Sequence, residues 1–289
     1  MELDESHLAP PKKEPPPNRY VEPKPEVLTP AKLGKLQVST VEQDTKFVNM
    51  ILFGDSGVGK TRLAGSASLV PEMSPVLILD IEGGVTSLAH LYPDVHTIRI
   101  KNFQDLADAY DTLFDGDHPY KTVVVDSLTE VQKFGMYHIM ERTIAADGNR
   151  DPDLPGIGEW GKNTNQIEKF VRAFRDLPVN TIFTALKLED RNPRTGVTTT
   201  LPSLSGKLAR NVSALVDVVA YYYIKKLAED DSFHRLLLTT KTEEIVAKDR
   251  SDNLPAVIID PDMTILYNYI THKTKRNDPK TVSPEETNE

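Results

Sequence analysis

Cysteine is absent from the 289-residue chain. That excludes disulfides, thiol nucleophiles, cysteine-ligated zinc and iron–sulfur clusters, and it fits a reducing compartment. Long apolar runs are missing as well. A helix needs about 20 apolar residues to cross a bilayer, and the most apolar run here, Leu215 to Ile224, contains Asp217 and three tyrosines. The N-terminus carries no apolar signal core, so a cytoplasmic location without a membrane partner is expected. Positive charge is not in excess either. A net charge of −9 and a pI near 5.4 speak against a globally basic nucleic-acid binder and leave room only for local basic loops. The seven histidines are scattered without an H-E-x-x-H pair, and no zinc site is readable.

What is present divides into a body and two tails. Eight of the 21 prolines fall in the first 30 residues, including Pro15, Pro16 and Pro17, so residues 1–43 read as a disordered proline-rich tail. Residues 273–289 hold Val282 as their only aliphatic side chain and read as a second, polar tail. Residues 44–272 have globular composition and no internal repeat.

Inside the body, short apolar runs alternate with helix-period stretches. Phe47 to Phe53, Val76 to Asp80, Thr122 to Asp126 and Thr181 to Ala185 read as buried strands. Lys60 to Leu69, Ser127 to about Ala146 and residues 164–177 read as helices. A further helix, N-capped by Asn102, would bury Phe103, Leu106, Ala107, Tyr110 and Leu113. This alternation implies an α/β fold, a mostly parallel sheet sandwiched by helices. Val218 to Lys225 and His234 to Thr240 read as an added antiparallel hairpin.

Gly54-Asp55-Ser56-Gly57-Val58-Gly59-Lys60-Thr61 satisfies G-x-x-x-x-G-K-[ST] between a strand and a helix. Glycines let backbone N–H groups converge on phosphate oxygens, and a helix N-terminus adds partial positive charge. ATP and Mg2+ are the expected cofactors. Residues 54–61 and Arg62 would hold nucleotide, Lys60 would reach the β- and γ-phosphates, and the Thr61 hydroxyl would ligate the metal. The run is not a G-x-S-x-G nucleophile elbow, because the fifth position is Val58.

Such a site also needs an acid on a neighbouring strand. Asp126, ending Val123-Val124-Val125-Asp126, fits; Asp80 is its competitor. Were Asp80 the metal acid, Asp80-Ile81-Glu82-Gly83 would match the D-x-x-G element of small GTPases. The guanine reader of those proteins has no good counterpart, since Thr240-Lys241-Thr242-Glu243 ends in Glu. Glu82, two residues past its strand, is placed to activate the water that attacks the γ-phosphate.

These residues together resemble the RecA-like recombinases, in which the P-loop unit is followed by a strand ending D-x-E and then by a strand ending V-V-D-S. Here those read Asp80-Ile81-Glu82 and Val124-Val125-Asp126-Ser127. The nearer resemblance is to small phage-encoded RecA-core annealing proteins of the Sak-four type, through Phe53 to Thr61, Asp80-Ile81-Glu82-Gly83-Gly84 and Ala247-Lys248-Asp249-Arg250. It covers residues 47–270. The resemblance implies a RecA-like P-loop NTPase core that binds single-stranded DNA, forms a homo-oligomeric ring or filament, and promotes annealing in a phage-infected cell. It further implies Glu82 as catalytic base and Lys248 and Arg250 as cations inserted into a neighbour's ATP site. One departure stands out: where RecA relatives often carry a polar γ-phosphate sensor, this chain has Leu186 and Lys187.

RecA-like proteins hold DNA on two loops. By order, the first would be residues 147–163, with Trp160 able to stack a base and Lys162 beside it. The second would be residues 188–207, where Arg191, Arg194 and Lys207 stand among hydroxyl residues such as Thr195, Thr198, Thr199, Thr200 and Ser203 and could track phosphates; a plain β-ribbon reads equally well there. The proline-rich tail would recruit a partner such as a single-strand-binding protein. A replication motor or helicase loader would share every nucleotide residue. A small-molecule kinase and a non-catalytic nucleotide switch stay open as other classes.

Overall fold

The computed structural model describes residues 32–33, 35–38, 47–228, 231–276 and 281–282. The chain divides into two units, Met1–Asp44 and Thr45–Glu289. In the first, Lys32–Leu33 pairs antiparallel with Leu36–Gln37. The rest of the proline-rich segment lies outside the described residues.

The second unit is built on an 11-stranded sheet. Its parallel core uses strands β1 (Asn49–Gly54), β2 (Val76–Asp80), β3 (His96–Arg99), β4 (Thr122–Asp126), β5 (Asn180–Arg191) and β7 (Val218–Lys226), the last preceded by β6 (Thr198–Pro202). Across the sheet these run β7-β1-β5-β4-β2-β3. β5 therefore separates the strand of the P-loop from the strand that ends in Asp126. Antiparallel strands β8 (Phe233–Leu238), β10 (Val257–Ile259) and β11 (Thr281–Val282) extend the sheet beyond β7, against which the short β9 (Lys248–Asp249) also pairs. The segment read as an added antiparallel hairpin is one: β8 pairs antiparallel with β7, while the other edge of β7 runs parallel to β1 and so joins the hairpin to the core.

Strand parity decides which side chain meets which layer. Ile51 and Phe53, Leu77 and Leu79, and Val123 and Val125 face one side. Packed there are α2 (Phe103–Asp115), α3 (Leu128–Ala146), α4 (Ile157–Arg175) and α5 (Leu208–Leu215). Met50, Leu52, Ile78 and Val124 face the other side, covered by α1 (Lys60–Gly65), the 3-10 turn Ser66–Leu69 and α6 (Met263–Ile270). β1, β2 and β4 are buried along their whole length, which explains their unbroken apolar runs.

Two expectations are corrected. Residues 60–69 do not form one α-helix but a short α-helix continued by a 3-10 turn. The helix expected over 164–177 begins at Ile157, because the Glu159 carboxylate accepts from the Gly156 N–H (2.9 Å) and from Arg150 (3.1 Å). Gly158, Gly161 and the polar run after them hid that start. Trp160 and Lys162 are consequently helical rather than in a loop. The loop is residues 147–156.

Residues 188–207 open as the ribbon β5–β6, which reverses within 192–197. Where a loose tail was read from Lys273, Lys273 pairs with Glu72 (2.6 Å) and the Thr274 carbonyl accepts from Asn253 (2.7 Å). Residues 277–280 and 283–289 lie outside the described residues. Among the described residues no helix is long and apolar enough to cross a membrane.

Candidate nucleotide site

The P-loop bridges the carboxyl end of β1 and the head of α1. Gly54 has a packing reason to be glycine: a Cβ there would stand 2.0 Å from the Tyr222 carbonyl oxygen on β7. Gly57 and Gly59 have φ of 80° and 103°, a region that L side chains rarely enter. Asp55, Ser56 and Gly57 are exposed, whereas Val58 anchors the loop in the core.

The Lys60 side chain is buried and folds back over the loop, donating to the carbonyls of Gly54 (3.1 Å) and Asp55 (2.8 Å). Burial lowers its pKa, and Glu82, Asp126 and Asp55 oppose that shift. The cation is thus held by two backbone carbonyls, in the field of three carboxylates that favours its charged form. Arg62, two residues on, is exposed.

Thr61 Oγ1 donates to Asp126 Oδ2 at 2.6 Å, and Thr184 on β5 donates to Asp126 Oδ1. Asp80 is occupied elsewhere: its carboxylate accepts from the N–H groups of Gly83 (2.7 Å) and Gly84 (3.3 Å) and from Arg99 (3.0 Å). The structure therefore brings Thr61 to Asp126, with Asp80 shaping the turn that carries Glu82. The backbone N–H groups of Ile81 and Glu82 donate to the Asp126 carbonyl, and Ser127 Oγ donates to the Glu82 carboxylate. Glu82 itself is exposed. Thr61 and Asp126 are hard oxygen donors of the kind Mg2+ takes when phosphates and water complete its shell. When bound there, the metal would offset phosphate charge.

Two contacts were not legible from the sequence. Arg235 on β8 donates through Nε to the Val58 carbonyl (3.0 Å), bracing the P-loop from 177 residues away. Lys187 Nζ lies 3.1 Å from Asp55 Oδ2 and 3.2 Å from Glu189 Oε1. The side chain at the sensor position thus reaches the P-loop directly.

The other sequence candidates lie apart from this cluster. Lys248 Nζ donates to the carbonyls of Ser213, Ala214 and Val216 at the end of α5. Arg250 binds the Ala214 carbonyl (2.9 Å) and Asp217 (3.1 Å). Both therefore cap a helix of their own chain. Arg191 and Arg194 are exposed on the ribbon, Lys207 is exposed at the head of α5, and Trp160 and Lys162 are exposed on α4.

An AAA domain family (AAA_24) matches residues 46–251, and the chain belongs to that family. Its P-loop, acid strand and interposed β5 make it a P-loop ATPase-type domain of RecA-like architecture. No curated protein matches it in sequence. Among solved structures it is similar to the flagellar accessory protein FlaH of Methanocaldococcus jannaschii, at 9% identity and a TM-score of 0.38 over 73% of this chain and 84% of FlaH. It is similar to the type III secretion ATPase EscN of enteropathogenic E. coli at 17% identity and 0.41, over 83% of this chain and half of EscN. A third likeness is to the pCW3 conjugation coupling protein TcpA, at 13% identity and 0.36, over 92% of this chain and 75% of TcpA.

Proposed function

We propose that this chain is an ATP- and Mg2+-dependent RecA-like protein of the cytoplasm, the host's if phage-encoded. It assembles as a homo-oligomer on single-stranded DNA and promotes annealing or strand pairing. In this reading Lys60 and the P-loop hold the phosphates, Thr61 and Asp126 hold the metal, and Glu82, aimed by Ser127, takes a proton from the attacking water.

The observation that carries the reading is the path of β5. The strand passes between the P-loop strand and the acid strand, gives Thr184 to Asp126 and Lys187 to Asp55, then leaves the sheet as a ribbon bearing Arg191 and Arg194. One rigid element thus joins the nucleotide site to an exposed basic tip, a layout suited to coupling nucleotide state to phosphate-backbone contact. Lys207 at the head of α5 and the exposed Trp160 and Lys162 on α4 belong to the same proposed DNA surface.

The test is binding of a labelled single strand across a salt series, with and without ATP–Mg2+, beside Lys60→Ala. Expected is ATP-dependent binding that weakens steeply with salt and vanishes in the variant. No binding under any condition would sink the reading and move the weight to a kinase or a protein-directed switch. Strand displacement in place of annealing would point to a motor.

A further inference from the structure

β7 pairs with β1 only from Val218 to Tyr221, opposite Met50 to Phe53, and then runs on through Lys226. β8 pairs with that overhang, so a two-stranded wall stands beyond the end of β1, where the P-loop begins. Tyr222 and Leu237 face the layer that holds α1. By alternation Ile224 and Arg235, which oppose each other, and Phe233 face the same way. Phe233 is 75% exposed and Ile224 46%. A bare aromatic ring and a bare aliphatic side chain are thus diagonal neighbours on the P-loop side of the wall.

Between this apolar pair and the P-loop lie polar groups with capacity to spare. A Cβ at Gly59 would stand 3.2 Å from Arg235 Nε and 3.8 Å from Tyr222 Cε1. Arg235 Nε donates to the Val58 carbonyl (3.0 Å), which fixes the guanidinium beside the loop. Its two η nitrogens make no hydrogen bond among the described residues. Tyr222 is only 3% exposed, and its hydroxyl likewise has no hydrogen-bond partner among the described residues. Burial keeps that phenol protonated, with Arg235, Asp260 and Arg62 the charges around it. Asp260 is already engaged, by the Arg235 N–H (3.0 Å) and by His234 (2.6 Å). Unpaired polar groups in such a setting are costly, and a ligand that pairs them removes the cost.

We infer that this wall is the nucleoside subsite of the P-loop: the base packs on Phe233 and Ile224, and Arg235 and Tyr222 meet the sugar and α-phosphate. The inference rests on the ATP reading above and adds residues that no phosphate-binding motif contains. Phosphates held over Gly59 leave the nucleoside two ways to run. Toward β5 it meets the Lys187–Asp55 ion pair and the Thr61–Asp126 contact. Toward β7 and β8 it meets a bare ring and unpaired donors. Phe233 lies two residues along β8 from Arg235, about 7 Å, which leaves room for a sugar between phosphate and base. A base offers its π-face to the Phe233 ring.

The experiment compares ATP with inorganic tripolyphosphate, both with Mg2+, by isothermal titration on the full chain and on Phe233→Ala. Expected is ATP binding at least roughly tenfold tighter than tripolyphosphate in the wild type. Phe233→Ala, at an exposed position, should erase most of that advantage and leave tripolyphosphate affinity unchanged. Equal affinity for the two ligands in the wild type, or an undiminished advantage in the variant, would overturn the subsite and leave the phosphate site standing. An undiminished advantage with a lower mass in light scattering would assign Phe233 to contact with a second copy instead. Binding of neither ligand would overturn the ATP reading as well.

Discussion

Lys187 Nζ stands 3.1 Å from Asp55 Oδ2, so the strand inserted between the P-loop strand and the acid strand is ion-paired to the P-loop itself. Donation of its ammonium to Asp55 and then to Glu189 raises the Lys187 pKa, keeping it charged. In Lys187→Met that charge is gone. Turnover of ATP is expected to fall at least roughly tenfold, while ADP, which lacks a γ-phosphate, keeps its affinity within about twofold. Equal losses for both nucleotides would show Lys187 to be a loop brace only.

Glu82 and Asp126 divide the chemistry between two strands, and their variants should separate binding from turnover. Glu82→Gln is expected to bind ATP–Mg2+ as tightly as wild type and to hydrolyse it about a hundredfold more slowly or worse. Asp126→Asn should lose the magnesium dependence of binding, because Thr61 and Thr184 then face an amide. Isothermal titration with and without Mg2+, followed by single-turnover hydrolysis, reads both. Wild-type hydrolysis in Glu82→Gln would remove it as the base.

Gly54 is packed against backbone, which cannot give way. The Cβ of Gly54→Ala would lie 2.0 Å from the Tyr222 carbonyl oxygen, so β1 and β7 must separate. We expect a loss of about 3 kcal/mol or more, seen as a lower midpoint in urea denaturation without nucleotide. An unchanged midpoint would show that the strands shift freely.

Tyr222 lends the fold an alkaline limit. Burial pushes its phenol up to about 12, against the opposing pull of Arg235. Below pH 10 the phenol is neutral in folded and unfolded chains, and its contribution is fully present. Above pH 10 the unfolded chain ionises first, so stability falls until the folded group ionises near 12, by about 2–3 kcal/mol in all. Tyr222→Phe should flatten that part of the curve in thermal melts between pH 9 and 11.5, values chosen to bracket the window's start. An identical slope in the variant would assign the loss to other groups.

Lys248 tests whether the K-x-R element is structural in its own chain. Its ammonium meets three carbonyls at the end of α5. Lys248→Met is therefore expected to cost roughly 1 kcal/mol in the dilute, nucleotide-free protein. A cation that served only a neighbour's site would leave that melting temperature alone and lower ATPase activity only in the assembled form.

Much of this site was readable along the chain. The P-loop and Asp126 sit in short motifs whose glycines, lysine and strand-ending acid act within a few residues of each other. β2 and β4 fall at the expected bounds because both faces are covered, which leaves an unbroken apolar run. The Asn102 cap was legible too, since its side chain accepts from the Asp105 N–H three residues on. The beginning of α4 was not: its cap comes from Glu159 and Arg150, and no apolar stripe marks residues 157–163.

The sequence by itself determined the buried strands β1, β2 and β4, the Asn102-capped helix α2 and the phosphate-binding loop, because periodicity and turn chemistry are local forces. Only the tertiary structure decided that β5 lies between the P-loop and acid strands. The same holds for Arg235 bracing Val58, for Lys187 reaching Asp55 and for Lys248 closing α5. Those pairings follow from strand order and sheet twist, which bring together side chains as far as 177 residues apart and leave no periodic trace along the chain.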